Sequence, residues 1–458
     1  MNLDIAARVS APRPRGDGLN RIFVPAIGKL SLCAAGIAFL GQASGTRSAP
    51  LLLSCSAILG FMATRAVDLM PSMRLRRLIG RLVVPLAFIL LVLLNVTGWI
   101  GTLTGSDQAT SFKNLSLVAA PFYLLSISAV IADVANKRMR APGALDFFTY
   151  VTLPFKLLAG PLEPPSFIRQ LQKWQPQFSL TRLTAAWPWL ALGTMMKFVI
   201  GNRLNPAVTL GDTDPMAALL TAAIFELKFY FDFAGYSFIG YGGALLFGFR
   251  MSRNFMHPFL APNVVLFWRR WHMSLGRFLA RYLLEPNVGK IRGRPARMVF
   301  TSAIFLVSAM WHGGTGNYAL WGLFHGTCYF LWISRLKHWH FPRPVGIAGM
   351  ICFFVMGRFL AIEAHFGRLM EKLRNLFNPW SWANDVTHLK IVVWPVIAHQ
   401  MTGIALAAAF IGLEICSVER YGVGRSYHLM RRPYAALLIL ILCLFFAVQQ
   451  GGLLYARL

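Results

Sequence analysis

Residues 78–100 read LIGRLVVPLAFILLVLLNVTGWI, a nearly unbroken apolar run of the length that crosses a bilayer as one helix. Working outward, similar runs lie near 22–42, 50–64 and 115–133. A loop with Arg65, Arg74, Arg76, Arg77 and Arg81 precedes residues 78–100, whereas residues 101–112 (GTLTGSDQATSF) contain no Lys or Arg. Lys137, Arg138 and Arg140 follow the run at 115–133. Basic loops are retained in the cytoplasm, so this alternation places the N-terminus inside and the 101–112 loop outside. The apolar stretch after Arg8, Arg13, Arg15 and Arg21 is too long for a cleaved signal and reads as a first helix that stays.

Composition agrees with that topology. Hydrophobic residues make up 56% of the chain and charged residues 14%, where a soluble chain carries about a quarter charged. The 45 Lys and Arg against 17 Asp and Glu give a net charge of +28. With no nucleic-acid motif beside it, that excess reads as basic loops facing anionic lipid, and no nucleic-acid partner is expected. Cys33, Cys55, Cys328, Cys352, Cys416 and Cys443 stand singly, with no CxxC spacing, so neither a metal site nor a disulfide framework is expected.

Further runs lie near 186–200, 216–249, 298–311, 318–333, 345–361, 391–413 and 434–449. The expected fold is all-α: a polytopic integral membrane protein with about eleven to thirteen hydrophobic segments. Residues 147–167 (FFTYVTLPFKLLAGPLEPPSF) are apolar but broken by Pro154, Gly160, Pro161, Pro164 and Pro165, a re-entrant pattern tolerated only inside protein. Residues 250–297 are dense in arginine with Glu285 the only acid, and on a helix they would lie at the interface.

Ionisable residues inside apolar runs are costly and usually functional. AMWHGGTGNYALWGLFHG (309–326) holds His312 and His325, with Gly313, Gly314 and Gly316 ending one helix before another begins near Tyr318. An imidazole beside such a turn can accept a proton from a hydroxyl, or can simply bond a carbonyl. Trp311 and Asn317 flank it as candidate donor- or substrate-binding residues. In WRRWHMSLGRF, His272 is flanked by Arg269, Arg270 and Trp271; the arginines suit either phosphates or anionic lipid. In FELKFYFDFAGYSF, Glu226 and Lys228 are too close to face each other, and Asp232 could orient a histidine, pair with an arginine or help unwind the helix before Gly235. Lys156 and Glu163 flank the proline-rich break as a structural pair. No nucleophile elbow, P-loop or HExxH is present in a supporting context.

Six segments in order across residues 145–380 resemble the motifs of membrane-bound O-acyltransferases. They are FKLLAGPLEPPSFIRQL, LGTMMKFVIGNRLNPAV, FYFDFAGYSFIGYGGALLFGFRMSRNFMHPF, FWRRWHMSLGRFLARYLLEP, AMWHGGTGNYALWGLFHG and GRFLAIEAHFGRLMEKLRNLF. The resemblance is to the bacterial branch of alginate and peptidoglycan O-acetylases and the teichoic-acid D-alanyl transfer protein. It implies N-terminal helices over 1–144, a catalytic core over 145–380 and C-terminal helices over 381–458, within one membrane domain. It implies a ring of tilted helices around re-entrant segments and a central channel in the bacterial inner membrane. His312 matches the family's catalytic histidine, His325 a second shared histidine, and His272 the histidine of the central signature. Two departures stand out: Ala280-Arg281-Tyr282 replaces an Arg-Asp-Tyr triplet, and Glu285-Pro286-Asn287-Val288-Gly289 replaces a glycine-rich end.

The expected function is acyl transfer, with acetyl the leading acyl group. An acyl-coenzyme A or acyl-carrier-protein thioester would be the donor substrate, with no bound cofactor. The acceptor would be a hydroxyl of an envelope or secreted glycan, reached directly or through an extracytoplasmic partner enzyme. His312 would be the general base, His325 and Asp232 would position it, and the arginines of 269–281 would face the donor. The alternative is a transporter or flippase of an anionic lipid-linked species, which the basic centre and Pro/Gly breaks would also suit; no paired inverted halves support it.

Overall fold

The computed structural model describes residues 18–44, 48–104, 120–157, 160–177, 179–204, 213–287, 289–313, 315–339, 341–363, 365–382 and 394–423, with 427, 436, 437, 439–441 and 443. The described residues are helical, with no strand among them. Twelve helices of nine or more residues are numbered here in chain order: α1 (Gly18–Ser44), α2 (Ser48–Leu69), α3 (Met73–Thr104), α4 (Ala120–Ala135), α5 (Ala144–Thr152), α6 (Leu180–Thr194), α7 (Pro215–Leu246), α8 (Arg294–Met310), α9 (Gly316–Leu331), α10 (Arg343–Ile362), α11 (Phe366–Phe377) and α12 (Trp394–Tyr421).

Six stretches among the described residues are long and apolar enough to cross a membrane: Phe23–Ser44, Ser48–Leu69, Met73–Val96, Leu180–Arg203, Arg343–Ile362 and Gln400–Tyr421. Several other expected segments fall short of that standard for visible reasons. Helices α8 and α9 have 17 and 16 residues, and α7 carries Glu226, Lys228 and Asp232. Of the earlier expectations, most of the 101–112 loop, the arginines at 8, 13 and 15, Gly314, Val288 and most of the 434–449 run lie outside the described residues.

Local chemistry sets the helix boundaries, and it corrects one expectation. The basic loop before residues 78–100 shrinks to a short turn at Met70–Ser72, because the Ser72 hydroxyl accepts the Leu75 N–H and starts α3 early. Arg74, Arg76, Arg77 and Arg81 therefore sit on the first turns of α3, with Arg76 donating to the carbonyls of Asp68 and Val134. The 216–249 run forms one helix: Asp214 accepts the Ala217 N–H, Pro215 occupies the first turn, and α7 passes through Gly235 without unwinding. Residues 250–297 do not form a long amphipathic helix. They break into short pieces at Pro258–Leu260, Val264–Trp268, Met273–Leu279 and Ala280–Leu284, with His257 and His272 in the left-handed region before two of them.

Two packing features position the core. Helices α6 and α7 meet backbone to backbone, where a Cβ on Gly193 would stand 2.6 Å from the Gly235 carbonyl oxygen. Small residues permit this approach in a membrane, where apolar contact alone drives little association. The second feature is a chain of buried hydrogen bonds through the irregular segments. The Leu162 N–H donates to Ser274 Oγ at 2.9 Å, that hydroxyl donates to Asn254 Oδ1 at 2.6 Å, and Asn254 Nδ2 donates to Ser237 Oγ at 3.0 Å. The chain ties the proline-rich break to the segment carrying His272 and to α7. Lys156 and Glu163 do not pair with each other: Lys156 donates to Ser126 and lies over the Tyr150 ring, and Glu163 accepts from Ser252.

Beyond α10, Glu363 joins the amphipathic α11 to the core through Lys372 at 2.9 Å and Arg368 at 3.1 Å. Burial pushes the Glu363 carboxyl up, but the Lys372 hydrogen bond, the His365 N–H and the charges of Lys372 and Arg368 outweigh it and hold the carboxyl below its ordinary value of 4.5. A lowered folded-state value stabilises the fold above the unfolded value, and the benefit is lost as pH falls through the folded one. In detergent, Glu363→Gln should strand buried Lys372, cost about 3–5 kcal/mol and lower Tm at neutral pH. The variant's Tm should also lose part of the decline that the wild type shows below pH 4.5. Asn254→Ala, which leaves Ser274 without its acceptor, should cost about 1–3 kcal/mol in the same measurement.

Candidate active site

A narrow cavity with about 70 Å³ of free space lies where α7, α8, α9 and α10 meet the 264–279 segment. His272, His312 and His325 all line it, and its walls are otherwise largely aromatic, with Phe229, Phe233, Phe267, Trp268, Trp271 and Trp321. Three histidines far apart in sequence thus converge on one space.

His312 sits in the turn that closes α8, its N–H donating to the Ala309 carbonyl at 2.9 Å. Its ring lies 4.1 Å from the Trp311 ring and edge-on to Trp321 at 6.3 Å. His325, mid-way along α9, is boxed by Trp268, Trp321, Phe324 and Phe353, with ring centroids 4.7–5.3 Å away. The box closes at Gly357 of α10, where a Cβ would stand 2.5 Å from His325 Nε2. Only glycine lets α10 approach that imidazole.

His272 is held in the left-handed region at φ 42°, a conformation that costs a non-glycine residue energy. The Asn254 carbonyl accepts the Met273 N–H at 2.9 Å and its Oδ1 accepts the Ser274 N–H, which fixes the backbone just after His272. Its ring meets Phe233 edge-on at 4.8 Å, and both ring nitrogens are buried with no hydrogen bond to another of the described residues. A buried polar group without a partner calls for an explanation, and a role toward a ligand is one.

Two charged residues of the cavity lining were given no role by sequence reasoning. Arg358 donates from Nε to Glu226 Oε2 at 2.8 Å and stacks over Phe229 at 4.4 Å. Both charges line the cavity beside the histidines. Arg358 lies inside the apolar 345–361 run, so its lone charge in that run was the available signal.

The remaining expected residues fall elsewhere. Asp232 does not line the cavity; its carboxylate takes Lys197 at 2.9 Å and Lys228 at 3.6 Å. Glu226 and Asp232 are six residues apart, about one and two-thirds turns, so they stand on different faces of α7, the first toward the histidine cavity and the second toward Lys197. Asn317 is buried with its amide donating to the Glu363 carbonyl. Trp311 packs outside the cavity against Phe88. Trp271 does line the cavity, stacked between Phe229 and Phe267. Arg270 donates to the Leu260 carbonyl, and Arg281 pairs with Asp133 at 2.7 Å. Arg269 and Arg277 line a second cavity of about 400 Å³, which shares Trp268, Trp271, His272, Leu275, Ser308 and Trp321 with the first. Among the described residues, no group of three His, Cys, Asp or Glu could hold a metal ion.

This arrangement offers imidazole bases, one fixed ion pair and an adjoining apolar chamber with arginines at its wall. Residues 78–397 match the model of MBOAT, the membrane-bound O-acyltransferase family. A peptidoglycan O-acetyltransferase of Helicobacter pylori is 30% identical over 221 residues, covering 46% of this chain and 42% of that protein. A protein of Azotobacter vinelandii named "Probable alginate O-acetylase" is 30% identical over 219 residues, 46% of this chain and 43% of its own. A teichoic acid D-alanyltransferase of Bacillus subtilis is 31% identical over 155 residues, 30% of this chain and 39% of its own. The matched region spans less than half the length of each of these relatives. With the family model covering well over half its length, and with the histidine cavity inside that region, the chain belongs to the membrane-bound O-acyltransferase family.

Proposed function

We propose that the protein moves a short acyl group, acetyl in the leading case, from a cytoplasmic thioester to a hydroxyl of an envelope or secreted polymer. The observation that carries this reading is the convergence of His272, His312 and His325 with the Glu226–Arg358 pair on one narrow aromatic cavity. The narrow space favours a two-carbon group over a long chain, and the larger chamber beside it suits the donor's arm. Arg269 and Arg277 at that chamber suit the phosphates of coenzyme A or of a carrier-protein arm. The names of the relatives, which refer to peptidoglycan, alginate and teichoic acid, support an envelope polymer as the acceptor class.

In this reading His312 accepts the hydroxyl proton as the oxygen attacks the thioester carbonyl. The tetrahedral intermediate then collapses with loss of the thiolate, which takes the proton back from the imidazolium. Arg358, held in place by Glu226, supplies a fixed positive charge for the developing oxyanion in a water-poor site. His325 and Trp271 shape the pocket, and His272 stands between the two cavities as a partner for donor or acceptor. Where an extracytoplasmic partner enzyme relays the group, the ester forms first on that partner, and the chemistry at His312 is the same.

The purified protein should incorporate label from an acetyl thioester into a polymer or partner acceptor. His312→Ala should lower that rate by about 10²–10⁴-fold while membrane insertion and thermal unfolding stay normal. Wild-type transfer by this variant would overturn the assignment. Replacing both members of the ion pair, Glu226→Gln with Arg358→Gln, avoids a stranded buried charge. It should lower kcat by about 10²–10³-fold with KM little changed, and an unchanged kcat would remove Arg358 from the mechanism.

A further inference from the structure

Helix α1 lies outside the residues matched to the family, and it forms one wall of a groove on the far side of the re-entrant segment. The groove has a volume of about 720 Å³ and is almost wholly apolar, lined by Gly28, Leu32 and Ala35 of α1 and by Leu183, Leu246 and Phe247 of the core. One wall belongs to a stretch apolar enough to cross the membrane, Phe23–Ser44, and the other is built by residues 174–177, Ser179, Leu183 and the end of α7. Trp174 closes one end. Its indole Nε1 donates to the Phe247 carbonyl at 2.7 Å, and Gly28 lies directly against its ring.

On the other face of Trp174 is a cleft of about 540 Å³ lined by Arg169, Lys173 and Arg182 with Gln170 and Gln175. Neither space contains an acidic residue, and among the described residues no carboxylate pairs with any of these three cations. Arg182 is buried and oriented by the carbonyls of Gln177 and Phe247. A tryptophan at the border between an apolar groove and a cationic cleft marks the headgroup level of a bilayer.

From this juxtaposition we propose that the protein holds an anionic glycerophospholipid, its acyl chains in the α1 groove and its phosphate on Arg169, Lys173 and Arg182. A soluble anion would use the cleft and leave the groove empty; a zwitterionic lipid would use the groove and gain little from three uncompensated cations. Only a ligand with both parts fills the site. The lipid would bridge α1 to the core, and the site does not depend on the reaction proposed for the histidine cavity.

The test uses the full-length protein delipidated in neutral detergent, with phosphatidylglycerol, phosphatidylcholine and glycerol 3-phosphate as probes and native mass spectrometry as readout. Phosphatidylglycerol should be retained about 30- to 150-fold more than phosphatidylcholine, the preference expected of two or three basic side chains at a lipid surface. Arg169→Gln with Lys173→Gln, both on exposed side chains, should abolish the preference. Ala35→Trp, on the exposed face of α1, should fill the groove and weaken both lipids. Equal retention of the two lipids by the wild type, or a preference that survives the double substitution, would overturn the proposal. Displacement of the lipid by millimolar glycerol 3-phosphate would also overturn it and mark a soluble-anion site. Because His312 is untouched, transfer activity reports separately on the acyltransferase reading.

Discussion

Glu226 and Arg358 face each other at 2.8 Å among phenylalanine rings, and the architecture of the centre follows from why they must. A carboxylate or guanidinium inside hydrocarbon is tolerable only when an opposite charge is within reach. The pair therefore locks α7 to α10, the two helices that contribute it. The same rule binds the segment just after α6 to α7 through Lys197 and Asp232, and joins α11 to the end of α10 through Glu363 and Lys372. Buried charges here act first as helix-to-helix connections. The Glu226–Arg358 pair differs from the others in also facing the histidine cavity.

The histidines obey a different logic. A neutral imidazole can stay buried without a counter-ion, so it remains available for proton transfer where a lysine or carboxylate would be consumed by pairing. His272 shows the cost of placing one where it is needed. Its backbone is held in an unfavourable region by hydrogen bonds from Asn254 and Ser274, which are themselves tied to the proline-rich break. Broken backbone at membrane depth survives because protein surrounds it and satisfies its polar groups. The irregular segments, which interrupt an otherwise helical membrane protein, are thus what aims the central histidine.

Much of this was legible in the sequence. Apolar runs of spanning length, the Pro/Gly break at 154–165 and the turn after His312 each follow from local rules: hydrophobic length, missing amide donors and helix-stopping glycines. Ordered motifs then pointed to the family and to the cavity-lining histidines. Asp232 was misjudged as a neighbour of the histidines, because its direction depends on how α7 is rotated against α6. That rotation is set by the Gly193–Gly235 contact, which joins residues 42 positions apart. The long basic stretch would be amphipathic on a helix, but its charge pattern does not say whether a helix forms; prolines, left-handed histidines and distant hydrogen bonds divide it into short pieces.

The sequence alone therefore determined that the chain is helical and membrane-embedded, where its backbone must break, and which imidazoles lie in apolar surroundings. These properties depend on neighbours a few residues away. Tertiary structure alone decided that His272, His312 and His325 share one space, that Glu226 rather than Asp232 faces them, and that Arg358 completes the set. It also decided that α1 closes a groove beside three cations that no carboxylate among the described residues pairs with. Each of these is a contact between helices far apart in the chain, fixed by which charges must pair and which glycines allow backbones to touch, and no local pattern records it.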